Sequence, residues 1–399
     1  MPQLTEPTNL PDPQYNSGDF VFLNSTIRQT FRVSIGGAKL RLRLSNVFGV
    51  TDLSVTEVTI ALPESGLQGN PVIQLEKLRA VTFSGQSSFT IPAGGLVISD
   101  AIDFTVKPLA VLSVSIYLQQ GQKGGAITGH PGSRVNIFMT HGNQTHATNL
   151  TGTAVQSIAH WYYISSVEAW SPVQSRAFVI IGDSITDGRE SDTDKDNRWP
   201  DLVVNRMQNN PSTSCIAVLN QAAGGNRILQ DGLGPNVISR VDRDILSHSG
   251  VKYAMIFEGI NDIGMADADE ATQKTLGDNL IAAYTQIAAR IRTQGIPFFI
   301  ATITPFNTPS ISNVAHPYSN PVREQTRQRI NNWIRTSGVF DAVLDFDKLL
   351  RDSNNPSILA AQYDSGDHLH PNIVAFHAIA NAFPLEIFDV FDGGVYGYN

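Results

Sequence analysis

The stretch Phe178-Val179-Ile180-Ile181-Gly182-Asp183-Ser184-Ile185-Thr186-Asp187-Gly188 decides how this 399-residue chain is read. A short apolar run passes straight into a glycine, which lets the chain turn sharply off a strand end. A small nucleophile placed next, Ser184, would be exposed there, and its own amide could help bind an oxyanion. Read blandly, the same residues are an Asp-Ser loop that caps a helix. Four further apolar runs follow, at Ile216–Leu219, Tyr253–Phe257, Pro297–Ile303 and Val343–Phe346. Helices are expected at Pro200–Met207, Val237–Leu246, Ala271–Arg292, Glu324–Ile334 and Ile373–Ala382. In the third, Leu276, Leu280, Ile281, Tyr284, Ile287, Ala288 and Ile291 fall on one face of 3.6-residue period. Repeated strand–helix alternation predicts an α/β domain with a parallel sheet covered on both sides. Its chemistry is then expected at the C-terminal ends of the strands.

Upstream of a Trp170-Ser171-Pro172 break the period changes. Lys39-Leu40-Arg41-Leu42-Arg43-Leu44 alternates every second residue, as a half-buried strand does. Val55–Leu62, Val81–Phe83, Phe89–Ile91, Val111–Leu118 and Val135–Phe138 continue in that manner, punctuated by Gly36-Gly37, Gly69-Asn70-Pro71 and Gly94-Gly95. Short strands at this spacing imply an all-β sandwich, jelly-roll-like, over residues 1–171, ahead of the α/β domain at 172–399. The charge distribution follows the same division. Residues 1–170 hold 20 of the 64 Asp, Glu, Lys and Arg, and 171–399 hold the other 44.

A net charge of −8 without any Lys/Arg-rich run argues against a nucleic-acid partner. No apolar stretch reaches the roughly 18 residues of a membrane span. The lone Cys215 excludes an intrachain disulfide and, within Cys215-Ile216-Ala217-Val218-Leu219, is expected to be a buried strand residue. Glycosylation sequons at Asn24, Asn143 and Asn149 permit secretion. The opening residues do not read as a signal peptide.

A serine hydroxyl needs a base, and the base needs an orienting group. Near the C-terminus, Gly366-Asp367-His368-Leu369-His370-Pro371-Asn372 places a carboxylate three residues before an imidazole, with Pro371 expected to start the next helix. His368 is the rival base, but Asp367 as its immediate neighbour gives poorer geometry. A metal pair or a helix cap with a solvated histidine is the blander reading. The nine histidines offer no further ligands at zinc-site spacing, and no metal or cofactor is expected. Oxyanion donors are available after the next two strands. Ala223-Gly224-Gly225-Asn226 supplies bare backbone, and Glu258-Gly259-Ile260-Asn261 supplies a side-chain amide.

Gly182-Asp183-Ser184, Gly225, Asn261 and Asp367-x-x-His370 resemble, in order and spacing, the four blocks of the SGNH hydrolases, or GDSL esterases, over roughly residues 174–390. Gly182–Gly188 followed by Arg198-Trp199-Pro200-Asp201 is similar to the subgroup whose first block reads GDSIT-D-G. The resemblance implies a flavodoxin-like three-layer α/β/α domain, with Ser184 as nucleophile, His370 as base and Asp367 as its partner. It also implies an oxyanion hole of the Ser184 amide, the Asn261 side chain and Gly225, with Gly224 as the alternative donor. Arg41-Leu42-Arg43-Leu44-Ser45-Asn46-Val47-Phe48-Gly49 resembles the β-rich extension of some fungal and bacterial members. Since such members carry secretion signals, the chain is expected to be a mature or trimmed form of a secreted protein. The expected activity is hydrolysis of short-chain esters, acetyl esters of a carbohydrate first, with Trp199, Arg227, His316 and Tyr318 as candidate substrate contacts. A lipase or thioesterase of the same family, or a catalytically silent carbohydrate-binding protein, is the competing expectation.

Overall fold

The computed structural model of the protein describes residues 1–312 and 316–395. The chain divides into two compact units, Met1–Gln174 with Asp192–Asp196, and Ser175–Ser191 with Asn197–Asn399. No helix among the described residues is long and apolar enough to cross a membrane.

The first unit is built from antiparallel strands. They include β1 (Ser25–Arg32), β2 (Leu40–Ser45), β3 (Glu57–Ala61), β4 (Arg79–Val81), β5 (Leu96–Ile98), β6 (Val111–Leu118), β7 (Ile137–His141), β8 (Gln156–Ile158) and β9 (Ile164–Ala169). A six-stranded sheet runs β8-β7-β1-β6-β3-β4, and a second runs β9-β2-β5. The period-two alternation of β2 buries Leu40, Leu42 and Leu44 in a core shared with Ile27, Val58, Val114 and Ile116 of the larger sheet. On its other face Arg41 and Arg43 both reach Glu168 on β9, at 2.6 and 2.8 Å. The expected strand Val55–Leu62 is broken at Thr56. Leu53–Val55 pairs with Phe89–Ile91, whereas β3 pairs with β6. The short acidic excursion Asp192–Asp196 belongs to this unit, where Asp194 accepts from the Asn136 backbone and side-chain nitrogens at 2.8 and 2.6 Å.

In the second unit, β10 (Arg176–Gly182), β11 (Ile216–Ala222), β12 (Val251–Phe257), β13 (Phe298–Ala301) and β14 (Ala342–Leu344) form one wholly parallel sheet. Its order is β11-β10-β12-β13-β14, the 2-1-3-4-5 order of a flavodoxin-like fold. The helices are α1 (Ser184–Asp187), α2 (Trp199–Gln208), α3 (Val237–Val241), α4 (Ile260–Met265), α5 (Glu270–Arg292), α6 (Pro321–Thr336), α7 (Phe346–Leu350), α8 (Ile373–Ala382) and α9 (Ile387–Val390). The α2–α8 pair forms one helical layer and the α5–α6 pair the other. The expected face of α5 is the one that packs: Leu280, Tyr284, Ile287, Ala288 and Ile291 are buried in the sheet's core. Because strand order reverses beside β10, the loops leaving β10, β11 and β12 open at a switch point, where a crevice forms.

Candidate active site

Gly182 ends β10 because nothing larger fits. A Cβ there would lie 2.5 Å from the Thr186 hydroxyl oxygen and 3.0 Å from the Phe257 carbonyl oxygen. Asp183 then caps α1, its carboxylate accepting from the Ile185 amide at 3.0 Å. Ser184 is thereby the first residue of the helix, with no backbone acceptor for its own N–H.

The Ser184 Oγ stands 2.8 Å from His370 Nε2, and His370 Nδ1 stands 2.6 Å from Asp367 Oδ2. Asp367 Oδ1 accepts from the amides of Leu369 and His370, at 2.9 and 2.8 Å, and from the Ser365 hydroxyl at 3.0 Å. Burial works to raise the Asp367 carboxyl, but hydrogen bonds from the His370 ring and amide outweigh it and hold the group well below the usual carboxylate range. An ionised carboxylate only accepts, so Nδ1 carries the proton and Nε2 offers its lone pair to the serine O–H. The helix beyond spans the expected Ile373–Ala382, but Pro371, expected to start it, stands two residues ahead of Ile373. Asn372, not Pro371, borders it, with the Asn372 side chain accepting from the Ala375 amide at 3.0 Å.

His368 is engaged elsewhere. Its Nδ1 meets Asp364 Oδ2 at 2.5 Å and its Nε2 meets the Ser312 hydroxyl at 2.8 Å. Two serine–histidine–carboxylate chains therefore lie side by side on one turn, and only the one through His370 reaches Ser184.

Three N–H groups near this relay lack a protein partner among the described residues: the Ser184 amide, the Gly225 amide and one proton of the Asn261 amide. The two glycines after β11 differ in this respect. The Gly224 N–H is bound to Asp187 Oδ2 at 3.1 Å, whereas Gly225, at φ +68°, keeps its N–H open. The Asn261 Nδ2 donates to the Asn226 carbonyl at 2.9 Å, and its Oδ1 accepts from the Tyr318 hydroxyl at 3.0 Å.

The four candidate substrate contacts separate. Trp199 is a correction: it is wholly buried, edge-on to Phe346, with its indole N–H on the Thr186 hydroxyl at 3.3 Å, so it packs the core and faces no ligand. Arg227 is half-buried and folds onto its own loop, donating to the Gln230 side chain at 3.2 Å and to the Asp231 carbonyl. His316 lies near the relay; burial lowers its pKa, against a smaller opposing pull from Asp367. Tyr318 meets Asn261 as above. A second correction concerns Cys215, which is half-exposed just before β11 and not a buried strand residue, since Ile216 begins the inward run.

Sequence reasoning passed over the groups that brace these loops. Buried Asp262 accepts from the Ile228 and Leu229 amides at 2.9 and 3.0 Å, and burial pushes its carboxyl up to about 6. Arg240, wholly buried, grips Asn226 Oδ1 at 3.1 and 2.7 Å and the Gln221 carbonyl at 2.7 Å. The one available signal was the position of Asp262 immediately after Asn261. Nothing local marks Arg240.

The wholly parallel 2-1-3-4-5 sheet carries a glycine–aspartate–serine turn at the end of its first strand, the feature that opens the GDSL-type hydrolase pattern. The chain belongs to the GDSL-like lipase/acylhydrolase family, whose sequence profile matches residues 178–383. No curated protein sequence matches the chain. Among solved structures it is similar to an acetylxylan esterase from Geobacillus stearothermophilus, at 19% identity over 53% of this chain and 94% of that one, TM-score 0.37. It is also similar to a carbohydrate acetylesterase from Sinorhizobium meliloti, at 11% identity over 54% of this chain and 100% of that one, TM-score 0.41. A GDSL-like lipase from Bacteroides thetaiotaomicron aligns at 14% identity over 52% of this chain and 85% of that one, TM-score 0.34.

Proposed function

We propose that the protein is a secreted serine esterase that removes short acyl groups, acetyl first, from a carbohydrate, with Ser184 as nucleophile, His370 as base and Asp367 as its orienting partner. The observation that carries this reading is the continuous chain of 2.8 and 2.6 Å contacts from Ser184 through His370 to Asp367. As Ser184 Oγ attacks the ester carbonyl, its proton passes to His370 Nε2. The ionised Asp367 then stabilises the imidazolium. The carbonyl oxygen becomes an oxyanion, for which the open N–H groups of Ser184, Gly225 and Asn261 are the donors. His370 returns the proton to the leaving alcohol, and water cleaves the acyl-enzyme by the same relay in reverse. His316, a polar group beside the relay, suits a hydroxyl-rich leaving group. The sequon asparagines Asn24, Asn143 and Asn149 are all exposed, which supports passage through a secretory route.

Turnover of 4-nitrophenyl acetate by single variants tests the assignment. Ser184→Ala is expected to abolish it with the fold retained, and His370→Ala to come close to doing so. His368→Ala, one relay away, is expected to be much milder. Retained turnover in Ser184→Ala sinks the reading, and the reverse ranking of the histidines moves the base to His368. An acyl-chain series followed by acetate release from acetylated xylan separates the acetyl-carbohydrate substrate from longer acyl chains.

A further inference from the structure

Asn261 sits on the first turn of α4, and its amide is held at both ends. The nitrogen end is fixed by the Asn226 carbonyl at 2.9 Å, since a carbonyl can only accept. The oxygen end faces the Tyr318 hydroxyl at 3.0 Å, which therefore donates. Among the described residues the second Nδ2 proton has no protein partner.

We propose that Tyr318 is a positioning residue for the oxyanion donor Asn261, seated by the absence of a side chain at Gly264; the proposal rests on the esterase reading above. Terminal amide torsions are broad. An asparagine anchored by the Asn226 contact alone can swing its open N–H through a wide arc. A hydroxyl on Oδ1 closes that arc. It also polarises the amide, which strengthens the remaining N–H as a donor.

Gly264 gives independent support. It lies three residues after Asn261, on the same side of α4. A Cβ at that position would fall 2.1 Å from Tyr318 Cδ2 and 2.3 Å from Cγ. The ring thus lies against bare backbone, and any larger residue displaces it. The segment bearing Tyr318 is itself tied down. The Tyr318 amide donates to His316 Nδ1 at 3.2 Å, and the His316 amide to the Thr308 hydroxyl at 2.9 Å. Upstream, Ser312 is bound by His368, which Asp364 orients. Burial raises the Tyr318 phenol above 10.0, so it stays a protonated donor at neutral pH.

Kinetics of 4-nitrophenyl acetate hydrolysis on the full chain test this, with Ser184→Ala run alongside. Tyr318→Phe is expected to lower kcat roughly 3- to 10-fold, the worth of one neutral hydrogen bond, with little change in KM. Asn261→Ala is expected to lower kcat about 10²–10³-fold. Adding Tyr318→Phe to Asn261→Ala should change kcat by less than about twofold, because the group it positions has gone. Gly264→Ala, which pushes the ring aside, should lower kcat at least as much as Tyr318→Phe and should likewise have little effect in the Asn261→Ala background. A full kcat in Tyr318→Phe overturns the proposal. So does a loss that persists undiminished beside Asn261→Ala, which would make the tyrosine merely structural, and so does a normal kcat in Asn261→Ala. Turnover surviving Ser184→Ala sinks the esterase reading and this proposal with it; an inactive Ser184→Ala beside an unaltered Tyr318→Phe sinks this proposal alone.

Discussion

Asp183 does two things that pull against each other. Its carboxylate caps α1 and so sets Ser184 at the helix start, yet it is buried, with Asp262 and Asp187 close enough to disfavour a further negative charge. Burial, helped by those neighbours, pushes its carboxyl up to about 7 from an ordinary 3.8. Because the folded pKa lies above the unfolded one, folding takes up a proton between those limits. The stability this group contributes is complete below about pH 3.8 and is lost as pH rises towards 7. Asp183→Asn keeps an oxygen for the Ile185 amide and removes the charge. Its melting temperature relative to the parent should therefore rise between pH 4 and pH 7 and level off above. A difference that does not vary with pH would show that the carboxyl titrates normally. At this scale the site was legible where its partners are near in sequence. Asp367 and His370 are three apart on one turn, and Asp183 and Ser184 are adjacent. The Tyr318–Asn261 contact spans 57 positions and left no local sign, and Trp199 beside its proline gave no hint that its ring turns inward to Thr186.

Elements declared themselves by periodicity where burial is apolar. The five parallel strands and α2, α5, α6 and α8 were all readable, and Ile373–Ala382 is found with its expected ends. Among the strands that periodicity missed, with β5, β8 and β9, is β1, although it sits between β7 and β6 inside the six-stranded sheet. Its sequence, Ser25-Thr26-Ile27-Arg28-Gln29-Thr30-Phe31-Arg32, is mostly polar, and seven of its eight residues are buried. The reason is Arg28, whose guanidinium meets the carbonyls of Pro71, Gln144 and Ala147 at 2.6, 3.2 and 2.8 Å and the Ser115 hydroxyl at 2.9 Å. A polar side chain held by four hydrogen bonds occupies a core position without an apolar signature. Arg28→Met retains the bulk but leaves those acceptors unmet, and should destabilise the first unit by about 3 kcal/mol. Urea titration followed by the near-ultraviolet signal measures it, and a loss below about 0.5 kcal/mol, the range of an ordinary surface substitution, would show that water replaces the guanidinium without penalty.

For the molecule as a whole, the change of period near Trp170 marked where one kind of packing gives way to another. The return of Asp192–Asp196 to the first unit was invisible, because Asp192-Thr193-Asp194-Lys195-Asp196 reads as a solvated loop until Asn136 is seen to bind Asp194. Each unit holds its own closed apolar cluster: Leu112 lies at the centre of one and Ile287 in the other. Separate cores of this size melt as separate cooperative units unless something welds them together, so calorimetry should resolve two transitions. Truncating a buried Leu or Ile to Ala removes about 2–5 kcal/mol from the unit that contains it. Leu112→Ala should therefore lower one transition and Ile287→Ala the other, with the loss of esterase activity on heating following Ile287→Ala alone. If both variants shift a single endotherm by similar amounts, the two cores unfold as one, and the division of the chain into independently cooperative halves is wrong.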